Sequence, residues 1–213
     1  AMFARVSGAR IRHEFDLIFR EHEPEKALAR ANELGALKAI MAPLDFTDWH
    51  AGKFRQARAA EEEPTALTYL GLLAYHLTPS LAAEFCERLR LTSAEDETIM
   101  QLLALRAESE PRLAAAALAP SALYRLLAEY SDGALALFAL ATDDERVREG
   151  VTLFRTRLRG IAPELTGNDL KQMGIRPGPQ YRAILERLRD ARLDGEISTR
   201  AEEEVLVHSQ LVN

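Results

Sequence analysis

The chain has 213 residues, 47% hydrophobic and 28% charged, which excludes an intrinsically disordered segment and suffices for a sizeable core. Its 33 acidic against 27 basic residues give a formal net charge of −6, which excludes a generic nucleic-acid coat and makes charge placement matter more than the total. No apolar run reaches the length of a membrane span, and the opening MFARVSGARIRHEF carries charges where a secretory signal would be apolar, so a cytoplasmic location is expected.

Phe15, Ile18 and Phe19 put an apolar stripe on a first helix, and Glu25 to Leu34 predicts a second, ended by Gly35. Residues 36–42 form a short third. Pro43 to Pro64 reads as the least regular part, with Pro43, Gly52 and the acidic run Glu61-Glu62-Glu63. Thr65 to Leu77 and Leu81 to Leu89 follow as helices, separated by Thr78-Pro79. Ser93, with Asp96 three residues on, predicts the start of a helix over 94–107. Ser121 is expected to open a helix carrying Leu123, Leu126 and Leu127, which Ser131-Asp132-Gly133 breaks. Residues 134–141 are nearly all apolar, and Thr142 is expected to cap a basic helix running to about Arg159.

The segment TGNDLKQMGIRPGPQYRAILERLRDARLDGEI, from Thr166 to Ile197, is the most informative. It predicts a short helix from Asn168 to Met173, a tight turn from Gly174 to Pro179, and a second helix from about Gln180 to Leu193. Gly174 can take positive φ and end the first helix, while Pro177 and Pro179 stiffen the turn. Backbone N–H groups of Gly178 and its neighbours are then free at a helix N-terminus, a favourable place for an anion such as phosphate. Arg176 sits in the turn, and Arg182 and Arg189 follow on the polar side of the second helix, opposite Ile184, Leu185 and Leu188. Arg155 and Arg159, four apart, are second-rank candidates for the same backbone-holding role. Residues 151–193 hold nine Arg or Lys against four Asp or Glu, a local excess of +5, whereas Asp194, Glu196 and Glu202-Glu203-Glu204 make the tail acidic. A basic stripe on an acidic protein suits localised phosphate contact. The same residues also fit an ordinary helical hairpin whose arginines solvate its faces.

No alternating strand pattern of useful length occurs, so the fold class is all-α: an irregular helical bundle with a C-terminal helix-turn-helix hairpin, divided at 1–60, 61–160 and 161–213. The five histidines, His13, His22, His50, His76 and His208, are scattered, so no metal site is expected. Cys86, the single cysteine, lies in the amphipathic LAAEFCERL and reads as a small core residue. Trp49-His50 beside Lys53 and Arg55 can stack on a base, or Trp49 can anchor the core.

GNDL, GIRPGPQY and ILERLRDARLDGEI together resemble the C-terminal signature of the bacterial-type (class II) tRNA nucleotidyltransferase family, the CCA-adding enzymes and their poly(A) polymerase relatives. VSGARIRHEFDLIFREHEPEKALARANELGALKAIMAPL resembles the place where that family's neck passes into its body, through Ser7, Gly8, Arg10, Ile11 and Glu14, then Leu34, Gly35, Leu37 and Ala42-Pro43-Leu44. Ala9 stands where the family usually has an acidic residue.

The resemblance implies a tRNA-binding chain made of the end of the neck, the body and the tail. The resemblance also implies that the catalytic head of the parent enzyme, expected to work with Mg, ATP and CTP, lies outside this chain. The family's paired aspartates on a strand have no counterpart here, and its nucleotide-selecting Glu-Asp-x-x-Arg is not met by Asp143-Asp144-Glu145-Arg146-Val147, better read as an acidic first turn. The chain is accordingly expected to begin after the catalytic part, Ala1-Met2 preceding a chosen start, and to have no catalytic residues, cofactor or metal of its own. Its expected partners are tRNA and the missing head, with no membrane. Two alternatives stay open: a helical protein-interaction module with no RNA role, although no repeat of fixed period is visible, and a small enzyme with an unrecognised site.

Overall fold

Side-chain caps and well-placed prolines start most of the elements, and short turns end them, so the chain folds as a succession of helices. The computed structural model describes residues 6–60 and 64–211, with side chains to Ser209; Ala1-Met2 and the Glu61–Glu63 run lie outside the described residues. In order, the helices are α1 (Gly8–Ile18), α2 (Pro24–Glu33), α3 (Ala36–Ile40), α4 (Asp48–Ala60), α5 (Ala66–Ala74), α6 (Pro79–Leu89) and α7 (Ser93–Ala104). Then come α8 (Glu110–Ala115), α9 (Pro120–Leu127), α10 (Asp132–Ala141), α11 (Glu145–Leu153), α12 (Gly167–Gln172), α13 (Gln180–Leu193) and α14 (Arg200–Leu211). No strand occurs among the described residues, and the all-α expectation is borne out.

The helices gather into two compact units, residues 1–114 with 130–148 and residues 115–129 with 149–213. In the first, α4 packs on α2 and α5, α7 on α5, α6 and α10, and α1 on α2 and α6. Phe54 and Tyr69 are buried with their ring centroids 4.5 Å apart, Phe19 stacks on Tyr69 at 5.0 Å, and Phe46 meets Phe54 edge-on at 5.4 Å. Full burial of a side chain of this size contributes roughly 1.5–3 kcal/mol, so this cluster is a principal source of the unit's cohesion. Gly8 is held closely: a Cβ there would stand 2.2 Å from the backbone oxygen of Arg88 on α6. Cys86 is buried, as expected of a core residue, and burial pushes its thiol up to about 12.

In the second unit, α13 packs on α9, α12 and α14. Its core is Leu165, Leu170, Ile175, Leu188 and Val207, with Met173, Tyr181, Ile184 and Leu185 against it. The predicted hairpin is present with its first helix one residue earlier at each end than read, and Gly174 has φ +84°. The hairpin is not isolated, since Val207 and Leu206 of α14 close its apolar side.

The largest departure is α4. Pro43 to Pro64 was expected to be irregular, yet thirteen residues of it are helical. The buried positions of α4 are His50, Lys53, Phe54 and Ala57, a helical spacing in which two polar residues hide the apolar period. Helix starts also differ. Thr92 caps α7 in place of Ser93, forming a capping box with Glu95. The Asp144 carboxylate accepts from the N–H groups of Arg146 and Val147 at 2.9 and 3.2 Å, so it opens α11 in place of Thr142, whose hydroxyl donates to Glu110 at 2.6 Å. Pro120 starts α9, and Ser121 bonds Asp194 instead of capping.

Two π-helical turns interrupt otherwise regular helix, Leu105–Ser109 after α7 and Phe154–Leu158 after α11. The first ends just ahead of Pro111, which has no N–H to donate; the wider turn, closed by Glu110 N–H to the Leu105 oxygen, carries the chain across it.

Candidate nucleic-acid interface

The hairpin turn is built from its own side chains. Thr166 and Asp169 form a capping box at α12, in which the Asp169 carboxylate accepts from the Thr166 N–H at 2.8 Å and its hydroxyl at 2.6 Å. Those bonds, with Arg200 at 2.5 Å, hold the Asp169 carboxyl well below the usual range. After Gly174, the Tyr181 hydroxyl donates to the Ile175 oxygen at 2.8 Å and the Gln180 amide to the Arg176 oxygen at 2.7 Å. Ile175 is buried, so the turn is anchored inside while Arg176 to Gln180 face outward. The N–H groups of Arg176 and Gly178 have no acceptor among the described residues. Gly178 has an ordinary negative φ and open space where a Cβ would stand, so the fold itself does not require glycine there.

The six sequence-predicted residues have different surroundings. Arg176 is exposed and has no acid partner among the described residues. Arg182 is exposed and pairs with Glu186 at 2.8 Å, which raises its own pKa and lowers that of Glu186. Arg189 is half-buried, its guanidinium 4.5 Å from the centre of the Tyr124 ring. Arg155 lies within the second π turn and Arg159 follows it, with the Arg159 guanidinium 5.8 Å over Phe154. Tyr124 and Phe154 meet edge-on at 5.7 Å, so Arg189 and Arg159 are brought to two touching rings. Tyr124 escaped the sequence reading because it is one aromatic residue among the leucines of its helix, with no spacing to set it apart.

The local excess of +5 is partly neutralised in space. Arg187 pairs with Glu196 at 2.6 Å, and Arg192 with Glu164 at 2.6 Å and with Glu203, which is fully buried and also accepts from the Glu164 and Leu165 N–H groups at 3.0 and 2.8 Å. The hydrogen bond that Arg192 donates to Glu164 is the main reason that its pKa is raised. Basic and acidic stretches sorted along the chain thus fold back onto one another in part, leaving Arg157, Lys171, Arg176 and Arg189 with no ion pair among the described residues.

The Trp49 segment is built into the first unit. The Trp49 indole donates to Asp143 at 2.7 Å and its ring stacks on Tyr75 at 5.4 Å and 8°. Lys53, buried, donates to the Thr142 oxygen at 2.8 Å and pairs with Asp143 at 2.9 Å. Burial and the neighbouring His76 push His50 down to about 4, and the Thr47 N–H and hydroxyl lie 3.1 and 2.9 Å from its Nδ1. These contacts tie Trp49, half-buried, to the first unit through Tyr75 and Asp143. Among the described residues, no three His, Cys, Asp or Glu side chains come together to hold a metal ion, and no helix is long and apolar enough to cross a membrane.

No protein-family model matches the chain. It is 33% identical over 219 aligned residues to an A-adding tRNA nucleotidyltransferase of Geobacter sulfurreducens, a match covering 93% of this chain and 24% of that protein. Its fold matches a Thermotoga maritima CCA-adding enzyme complexed with tRNA, with TM-score 0.73 and 20% identity over 98% of this chain and 53% of that one. It also matches a CCA-adding enzyme solved with ATP, with TM-score 0.71 and 21% identity over 99% of this chain and 52% of that one. The resemblance to the tRNA nucleotidyltransferase family is borne out: over nearly its whole length the chain is homologous to a portion of such a protein. It spans about a quarter of that curated relative and about half of the two solved enzymes.

Proposed function

We propose that this chain is the tRNA-holding portion of a tRNA nucleotidyltransferase that adds CCA, or part of it, to tRNA 3′ ends. In this reading the catalytic head belongs to the rest of the longer protein and works there with Mg, ATP and CTP. The division of this chain is end of neck and start of body over 1–60, helical body over 61–160 and tail over 161–213. The observation that carries the reading is the homology over 93% of the chain to an A-adding enzyme, joined to an outward turn in which the Arg176 guanidinium and the Arg176 and Gly178 N–H groups have no partner among the described residues. Arg176, Gly178, Arg182 and Arg189 hold the RNA backbone, with Arg155 and Arg159 in support. Contacts of this kind position the RNA and carry little base information.

The test is equilibrium binding of the chain to whole tRNA over a salt series, beside an Arg176→Ala/Arg182→Ala double variant. The expected result is weakening with salt, and a variant that binds less tightly with a logarithmic salt slope shallower by about 1–2. Equal binding by the variant moves the RNA surface elsewhere. No binding by the wild-type chain at low salt removes the reading for this chain on its own.

A further inference from the structure

Helices α9 and α13 are pinned antiparallel by matched pairs. Ser121 bonds Asp194 through its N–H at 2.9 Å and its hydroxyl at 2.7 Å, and Arg125 pairs with Asp190 at 3.0 Å. A step of four along α9 thus answers a step of four back along α13. Tyr124 and Arg189 fall beside these pairs, the guanidinium 4.5 Å from the ring centre. Tyr124 is itself backed by Phe154, so the ring has little freedom to turn. The Nε of Arg189 is buried and without an acceptor, and its two Nη groups make no hydrogen bond among the described residues. An arginine held in this way has its plane fixed and its terminal donors unused. Arg182, Glu186 and Arg189 follow one another at i, i+4 and i+7 on a single face of α13, and the positive charges of Arg182 and Arg189 both lower the Glu186 carboxyl.

We infer that Tyr124 is a positioning residue for Arg189: its ring fixes the guanidinium plane so that the Nη groups meet an RNA phosphate as a pre-oriented fork. The inference rests on the tRNA-holding reading and deepens it, because it assigns the orientation of Arg189, the second anchor of the α13 face, to a residue on another helix. Stacking suits arginine specifically, since a planar, weakly hydrated cation lies flat on a ring and keeps its edge donors, which a lysine ammonium does not do. Ordering the side chain in advance also removes part of the entropy lost on binding.

The experiment is a double-mutant cycle in tRNA binding with Tyr124→Leu, Arg189→Ala and the pair, beside Tyr124→Phe and Arg189→Lys, each checked for its thermal unfolding midpoint. Tyr124→Leu is expected to weaken binding roughly threefold to tenfold when Arg189 is present and to have no further effect in the Arg189→Ala background. Tyr124→Phe, which keeps the ring, should bind like the wild type, and Arg189→Lys should bind as weakly as Arg189→Ala. Additive losses in the cycle overturn the inference while the tRNA reading survives, as does full binding by Arg189→Lys, which decides the matter if Tyr124→Leu fails to fold. Absence of binding by the wild-type chain overturns both.

Discussion

Lys53 in the first unit and Arg182 in the second are both cations beside a carboxylate, at almost the same distance, 2.9 and 2.8 Å. Their side chains are 3% and 86% exposed. Lys53 has been taken out of water and is answered by Asp143, the Thr142 oxygen and the Trp49 ring 5.6 Å away. Arg182 remains in water, where one ion pair with a neighbour on its own helix contributes little. Equal contact distances therefore conceal unequal roles: the first cation is part of what holds its unit together, and the second is free to be recruited by something else. The same contrast runs through the two regions. Around Lys53, Thr142 and Tyr75 converge on Glu110, donating at 2.6 and 3.1 Å. Around the hairpin, the Arg176 guanidinium and the N–H groups of Arg176 and Gly178 have no protein partner among the described residues.

This comparison is breakable. Its largest expected consequence is that Lys53→Ala lowers stability by about 3 kcal/mol in urea unfolding, through lost stem packing and loss of charge-assisted bonds to a buried carbonyl. A loss under about 1 kcal/mol would place Lys53 with the surface cations instead. Next comes His50, whose folded pKa of about 4 lies below its ordinary 6.5. Because the unfolded chain binds the proton more readily, stability is full above pH 6.5 and falls as pH drops towards 4. At pH 5 the loss is about 2 kcal/mol at most, as converted from that shift. Unfolding midpoints of wild type and His50→Gln between pH 7 and 5 should show the flatter dependence in the variant; parallel curves would assign the effect to other groups. The smallest effect sharpens the contrast from the other side: Arg182→Ala should lower stability by no measurable amount in urea unfolding. A measurable loss would mean that Arg182 holds the hairpin together.

The sequence was most readable where one short stretch decides the structure. Gly174, Pro177 and Pro179 punctuate the hairpin locally, and α13 runs from Gln180 to Leu193 as read. Helix starts were less readable because several capping residues compete within a few positions, as Thr92 and Ser93 do, and only the backbone geometry chooses between them. α4 was hidden because His50 and Lys53 occupy its buried face, and apolar periodicity does not register a buried lysine. The candidate site was readable by residue type and not by arrangement. Arg189 and Tyr124 stand 65 positions apart, and no periodicity brings them together. The sorting of charge along the chain misled for the same reason: Arg187 and Arg192 meet Glu196 and Glu203 only when the tail folds back.

The π turn at Leu105–Ser109 has a consequence for how this chain tolerates changes in length. Such a turn holds one residue more than a regular α-helix needs over the same span. Removing a single residue there lets the turn close into ordinary helix, with the flanking segments keeping their faces towards the core. Relatives that differ by one residue can therefore take up the difference inside this helix, a place where gaps are ordinarily forbidden and pushed out to the loops.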